Sequence, residues 1–152
     1  MPLARFIRGP GRTDIAPGEI LSGVWIRKEP RFGIHHFEKV GQRNALAIAV
    51  VSMAAVLHLS GSGRIERAGL AWGSVGPTVL RFREVEEALV GRPLSRKTLE
   101  EVMPLVRRSV RPIDDVRAGA EYRRRVAGSL LLRLLDRPAS GDRSFSLRGI
   151  TP

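Results

Sequence analysis

No cysteine occurs among the 152 residues. Disulfides, thiolate metal sites and cysteine-ligated iron–sulfur clusters are therefore excluded within this chain, and the absence fits a reducing, cytoplasmic setting. Aromatic residues are scarce, 5% of a chain that is 43% hydrophobic, so a core must come from Leu, Val, Ile and Ala. Long apolar runs are missing. The longest, residues 46–59, is interrupted by Ser52 and His58 and is too short for a bilayer-spanning helix. The opening Met1-Pro2-Leu3-Ala4-Arg5-Phe6 has no apolar stretch of the secretory kind. Lysine is rare as well: of 26 basic residues only Lys28, Lys39 and Lys97 are lysines.

What is present in excess is arginine, and the formal charge is +11. A basic chain reads as a nucleic-acid binder when a patch and a recognition motif come together. Here the arginines are scattered, apart from Arg107-Arg108 and Arg123-Arg124-Arg125, and no recognition helix or RNA-binding signature accompanies them. Solvated helix faces, or a surface meeting acidic partner subunits, account for the charge. Binding that weakens steeply with salt would mark the nucleic-acid alternative.

The chain divides in three. Residues 1–30 read as a lead-in: Gly9, Pro10 and Gly11 break any helix, Pro17-Gly18 marks a turn, and residues 19–26 look strand-like. Residues 31–73 have the period of an antiparallel sheet. Phe32, Ile34, His36 and Glu38 alternate with Gly33, His35, Phe37 and Lys39. The β-branched content of residues 45–59 favours a strand, and Ser60-Gly61-Ser62-Gly63 is a hairpin signal leading into residues 64–73. Residues 80–137 change to a helical period. Val85 and Leu89 share a face with Glu84, Glu86 and Glu87 outside, and Gly91-Arg92-Pro93 ends that helix. Ser95 caps the next, striped by Leu99, Val102, Met103 and Val106, with Pro104 expected to kink or shorten it. The last carries Tyr122, Val126, Leu130 and Leu134 at i, i+4 and stops at Pro138. Residues 138–152 have the composition of a disordered tail. Strands followed by helices predict an α+β fold, a small antiparallel sheet of three to four strands backed by a three-helix layer.

The usual catalytic constellations are missing. Adjacent His35 and His36 point to opposite faces of a strand, and neither they nor His58 have metal-ligand spacing. There is no nucleophile elbow and no Gly-rich loop between a strand and a helix. Neither a catalytic nor a metal-ligating residue is assigned. In Leu70-Ala71-Trp72-Gly73-Ser74, Gly73 and Gly76 permit positive φ and Pro77 fixes the exit. Trp72 is either a core residue or a stacking platform. Lys39 and Arg43 are either solvated charges or partners for an anion. In Asp114-Asp115-Val116-Arg117-Ala118-Gly119-Ala120-Glu121-Tyr122-Arg123-Arg124, an aspartate can cap the helix, Arg117 and Glu121 stand at i, i+4, as do Glu121 and Arg125, and Tyr122 falls on the core stripe.

Three stretches in order, Phe37-Glu38-Lys39-Val40-Gly41-Gln42-Arg43-Asn44-Ala45-Leu46-Ala47-Ile48-Ala49, then Leu70-Ala71-Trp72-Gly73-Ser74-Val75-Gly76-Pro77-Thr78, then the Asp114-Asp115 motif, resemble the C-terminal domain of the FAD-binding subunit of molybdenum hydroxylases, the xanthine dehydrogenase and carbon monoxide dehydrogenase family. The resemblance runs over residues 1–137. It implies a small antiparallel sheet backed by three helices, with residues 1–30 as the remnant of a preceding FAD domain and residues 31–137 as the C-terminal domain. It implies FAD, shared with an N-terminal FAD domain that carries the pyrophosphate loops, with Lys39, Arg43, Leu70, Trp72 and Gly73 as the cofactor-binding residues. Leu70 would pack near the flavin, on a sheet face left open by the helices. Molybdopterin and 2Fe-2S clusters would lie in partner subunits, a large molybdopterin-binding and a small iron–sulfur chain. Many relatives carry an aspartate near position 46, where this chain has Leu46. The implied role is one wall of a flavin pocket in an oxidoreductase that this chain does not complete alone. The alternatives are a docking module of the same fold that has lost the flavin, and a truncated remnant.

Overall fold

A computed structural model describes residues 1–26, 32–43 and 47–136. The chain begins with a single turn of helix, α1 (Leu3–Phe6), and a short hairpin, β1 (Ile7–Gly9) and β2 (Arg12–Thr13), which turns at Gly11 with φ 64. The Pro17-Gly18 turn forms as the sequence predicts: Gly18 has φ 84 and the Glu19 N–H donates to the Ala16 carbonyl at 3.0 Å. Residues 19–26 do not form the expected strand; they are irregular and exposed, with no neighbouring strand to pair with among the described residues.

The main sheet has three antiparallel strands, β3 (Ile34–Val40), β4 (Val51–Leu59) and β5 (Ile65–Gly73), in the order β3-β4-β5. The strand that the β-branched content of residues 45–59 favours is present from Val51 on, shorter than the apolar run. Residues 60–63 make the predicted hairpin, with Gly63 at φ 76 and the Ser60 N–H bonded to the Arg64 carbonyl. Three helices follow, α2 (Arg83–Leu89), α3 (Arg96–Ser109) and α4 (Ala120–Ser129), the last running into a 3-10 stretch, Leu130–Leu135. Ser95 caps α3 as expected, its hydroxyl accepting from the Thr98 N–H at 3.2 Å. Pro104 neither stops nor shortens α3. It and Glu100 are exposed, so the carbonyl that Pro104 deprives of a donor is within reach of water. None of the helices among the described residues is long and apolar enough to cross a membrane.

The helices cover one face of the sheet. Met53, Ala55 and Leu57 of β4 and Leu70 and Trp72 of β5 point to that side and pack with Val85, Leu89, Leu99, Val102, Val106, Leu131 and Leu134. Each large side chain so buried contributes on the order of 2 kcal/mol relative to exposure. Trp72 also ties the layers by a hydrogen bond, its indole N–H donating to the Ala127 carbonyl of α4 at 3.1 Å. Two helix-face expectations are corrected. Tyr122 is exposed, and Arg123 takes the inward position in α4. Glu86 is buried, because its carboxylate accepts the Leu70 N–H of β5 at 2.8 Å and a bidentate pair from Arg81. The expected disordered tail, residues 138–152, lies outside the described residues, as does Leu46.

Candidate flavin-facing sheet surface

The pleat decides which residues reach the open side of the sheet. Across the strands, Lys39 stands opposite Ser52, which stands opposite Gly73; Phe37, Ala54 and Ala71 form the next row; His35, Val56 and Gly69 the next. These rows lie on the face away from the helices. Their centre is low: Ala54, Ala71 and Gly69 project little, while Phe37 is 70% exposed. With Phe32 and Arg67 they bound an open depression of about 910 Å³. Arg67 lies over the Phe32 ring at 4.8 Å. Arg81 reaches the rim from beyond β5, with Glu86 holding its guanidinium above the usual range.

Of the five residues named from the sequence, Lys39 and Gly73 share the open face, two strands apart. Lys39 donates to the Ala47 carbonyl at 3.0 Å, which pins the connection after β3. Arg43 lies exposed in that connection. The expected exposure of Leu70 is overturned: it is 1% exposed, and Trp72 is fully buried. Both borders of the depression and core contacts meet at Leu70, but its side chain belongs to the core. The reason is the two-residue period of a strand, which sends Leu70 and Trp72 to one face and Ala71 and Gly73 to the other. Phe37, Ala54, Gly69 and Ala71 are the residues that the same alternation puts on the open face.

The turn after β5 is shaped differently from the sequence expectation. Gly73 and Gly76 do not adopt positive φ; Ser74 does, at φ 63. The glycines are needed for space. A Cβ on Gly73 would stand 2.5 Å from the Ser52 hydroxyl, and one on Gly76 would stand 2.6 Å from Leu80 Cδ1. Val75 plugs into the core, and its carbonyl accepts the Arg111 N–H at 2.9 Å.

Arg123 holds this turn in place. It is 4% exposed, and its guanidinium donates to the carbonyls of Val50 at 2.9 Å and Ser74 at 3.0 Å and to the Asp115 carboxylate at 2.6 Å. Asp115 also accepts the N–H groups of Arg117 and Ala118, and Asp114 caps α4 by accepting the Ala120 N–H at 2.7 Å. The Arg117 N–H, then Arg123 and the Ala118 N–H, hold the Asp115 carboxyl down at about 2. Arg117 precedes α4 and pairs with Asp115 rather than Glu121; Glu121 pairs with Arg124 at i, i+3. The acidic-basic motif thus braces the start of β4 and the end of β5 from behind.

The profile of the CO dehydrogenase flavoprotein C-terminal domain matches residues 36–137. The carbon monoxide dehydrogenase medium chain of Afipia carboxidovorans is 32% identical over 132 residues, 87% of this chain and 45% of that one. The nicotinate dehydrogenase FAD-subunit of Eubacterium barkeri is 28% identical over 148 residues, 93% of this chain and 50% of that one. A solved carbon monoxide dehydrogenase from Oligotropha carboxidovorans superposes with a TM-score of 0.77 at 31% identity, over 88% of this chain and 46% of that chain. The chain spans about half the length of the relatives it matches. It belongs to the CO dehydrogenase flavoprotein C-terminal domain family, found in the FAD-binding subunits of molybdenum hydroxylases.

Proposed function

We propose that this chain supplies the C-terminal half of the FAD-binding subunit of a molybdopterin-dependent dehydrogenase, and that its open sheet face forms one wall of the flavin pocket. The observation that carries the reading is the open depression whose floor is Ala54, Val56, Gly69 and Ala71, with Lys39 and Gly73 in the next row of the same face, outside its lining. A flat ring needs apolar walls without side chains standing up between them, and the low central rows leave such a space. FAD, when bound, would accept electrons from iron–sulfur clusters and pass them to an acceptor. Lys39 brings positive charge to this face, and Arg43, exposed just after β3, would add a second cation suited to a phosphate or to an anionic reduced ring. Gly73 lets the ring approach the strand end. Leu70 and Trp72 serve from the core, by fixing the height and pitch of β5 beneath the floor. The fit is to the ring alone. The pyrophosphate needs clustered N–H donors, and the described part of this face offers side-chain cations instead, so an N-terminal FAD half must complete the site. A large molybdopterin-binding subunit and a small iron–sulfur subunit are the further partners this reading requires.

The docking-module alternative, in which the fold persists without flavin, calls for a face covered by the chain itself; the open depression favours the flavin. The test is FAD content. Purified alone, the full chain should carry little or no FAD. Co-purified with an N-terminal FAD half, it should carry FAD near one per complex, and Phe37→Glu should lower that content. An FAD-free complex supports the docking module, and a chain that is yellow by itself contradicts the division of labour.

A further inference from the structure

Arg81 stands at the rim of the depression in a direction set from the core. Its Nε and Nη2 donate to the two carboxylate oxygens of Glu86, both at 2.8 Å. Glu86 is itself fixed. Its side chain is 10% exposed, and Oε1 also accepts the Leu70 N–H of β5 at 2.8 Å. A planar fork bound at two nitrogens to an anchored carboxylate has one orientation. The third nitrogen, Nη1, lies on the side of the guanidinium away from Glu86 and donates to no described residue, while the Arg81 side chain, 68% exposed, lines the depression.

The other cations of this face are placed differently. Lys39 lies outside the lining and donates to the Ala47 carbonyl. Arg67 lines the depression but lies over the Phe32 ring at 4.8 Å. An exposed arginine gains little stability from an ion pair, and a buried carboxylate is costly. A buried Glu86 that fixes the plane of an exposed guanidinium therefore points to a use for its direction.

The chemistry that suits it is the polar edge of a flat ring. A ring lying on the floor of Ala54, Val56, Gly69 and Ala71 turns its rim toward the borders of the depression, one of which is Arg81. The flavin ring is apolar at its dimethylbenzene end and polar at its pyrimidine end, where a ring nitrogen and a carbonyl oxygen lie side by side. Uptake of two electrons and one proton leaves one negative charge, shared by that nitrogen and that oxygen. A fixed N–H donor on a cation favours this charge.

We propose that Arg81 contacts the pyrimidine edge of the flavin ring, with Glu86 as its positioning residue, so that the pair stabilises the reduced, anionic ring. The proposal rests on the reading of function above and adds the orientation of the ring within that site.

The test uses the complex of the full chain with an N-terminal FAD half, and sulfite as the probe. The sulfur lone pair forms a bond to ring nitrogen N5, the N5–C4a double bond opens, and its electron pair becomes the same negative charge at the pyrimidine edge. Bleaching of the flavin absorbance gives the sulfite dissociation constant, and dye-linked reduction gives the midpoint potential. FAD content of the parent complex tests the function; these two readouts test Arg81. Arg81→Gln should raise the sulfite dissociation constant by about tenfold or more, the scale of one charge-assisted hydrogen bond. The same tenfold loss for the reduced ring lowers a two-electron potential by about 30 mV. Arg81→Lys should fall between the parent and Arg81→Gln, and Glu86→Gln should shift both readouts in the same direction by less. Because Arg81→Gln alone strands Glu86, the double variant Arg81→Gln/Glu86→Gln repeats the measurement with both charges gone and an acceptor kept for the Leu70 N–H. FAD retained by Arg81→Lys but lost from the double variant also supports the contact. FAD-loaded variants with sulfite affinity and potential equal to the parent overturn the assignment and leave the function standing. FAD lost from Arg81→Lys as readily as from Arg81→Gln makes the pair structural and overturns it as well. A parent complex without FAD overturns both the function and the contact.

Discussion

Arg123 and Ser74 meet through the main chain: the Arg123 guanidinium donates at 3.0 Å to the carbonyl of the only described non-glycine residue with positive φ. A serine in the left-handed region costs about 1 kcal/mol or more and persists only where its surroundings hold it. Arg123 also binds the Val50 carbonyl and the Asp115 carboxylate, so three separate segments share one buried cation. Arg123→Leu should cost about 3 kcal/mol, since it strands buried acceptors. Arg123→Lys should recover only part, because one ammonium does not reproduce a planar fork. Urea denaturation of the three proteins checks the order.

Asp115 makes stability depend on acidity. Its carboxyl is held at about 2 in the folded chain, against roughly 3.9 when unfolded. A depressed folded value means that its contribution is complete above about pH 4. It is lost as pH falls from there toward 2. Asp115→Asn should be less stable at pH 7, and its stability should change less between pH 4 and pH 2 than that of the parent. Chemical denaturation midpoints across that range give the answer.

Adjacent residues on β5 should behave oppositely. Leu70→Glu drives a carboxylate into the core and should cost several kcal/mol, on the order of 4, enough to lower the melting temperature sharply. Ala71→Glu lies on the open face and should alter stability by no more than about 0.5 kcal/mol, while preventing assembly with the FAD half. Thermal melts and co-purification of both variants separate core from interface.

Gly128 sets the spacing of α3 and α4. A Cβ there would stand 2.7 Å from Met103 Cγ and 3.0 Å from the Arg107 side chain. Gly128→Val should therefore force the helices apart and cost about 1–3 kcal/mol, despite the better helix propensity of valine over glycine. Denaturation midpoints check this as well.

Much of this architecture was legible from periodicity. The change from alternation to helical spacing near Pro77 placed the sheet before the helices, and Ser95 announced α3 by its capping chemistry. The site was legible only to the level of the strand. The resemblance points to Leu70 and Trp72, the latter with a core position as its alternative, whereas the pleat sends both to the covered face and hands the open one to Ala71 and Gly73. Tyr122 and Arg123 show the complementary limit. Helical spacing alone put the tyrosine inside, but a buried guanidinium is favoured where the carbonyls of Val50 and Ser74 converge with Asp115, and those contacts span 73 and 49 residues of sequence. Glu86 is the same case, drawn inward by a strand-edge N–H that no local pattern reveals.

The absence of cysteine allows one direct test of the open face. Ala54→Cys places a single thiol at the centre of the floor, and its alkylation by a maleimide reports whether that face is covered. In the chain alone the thiol should react as fast as an exposed cysteine, and a Leu70→Cys control should react slowly. In an FAD-loaded complex with the N-terminal half, Ala54→Cys should slow by about tenfold or more, as expected of a thiol removed from solvent. Equal rates with and without the bound half would contradict the assignment of this face to the flavin pocket.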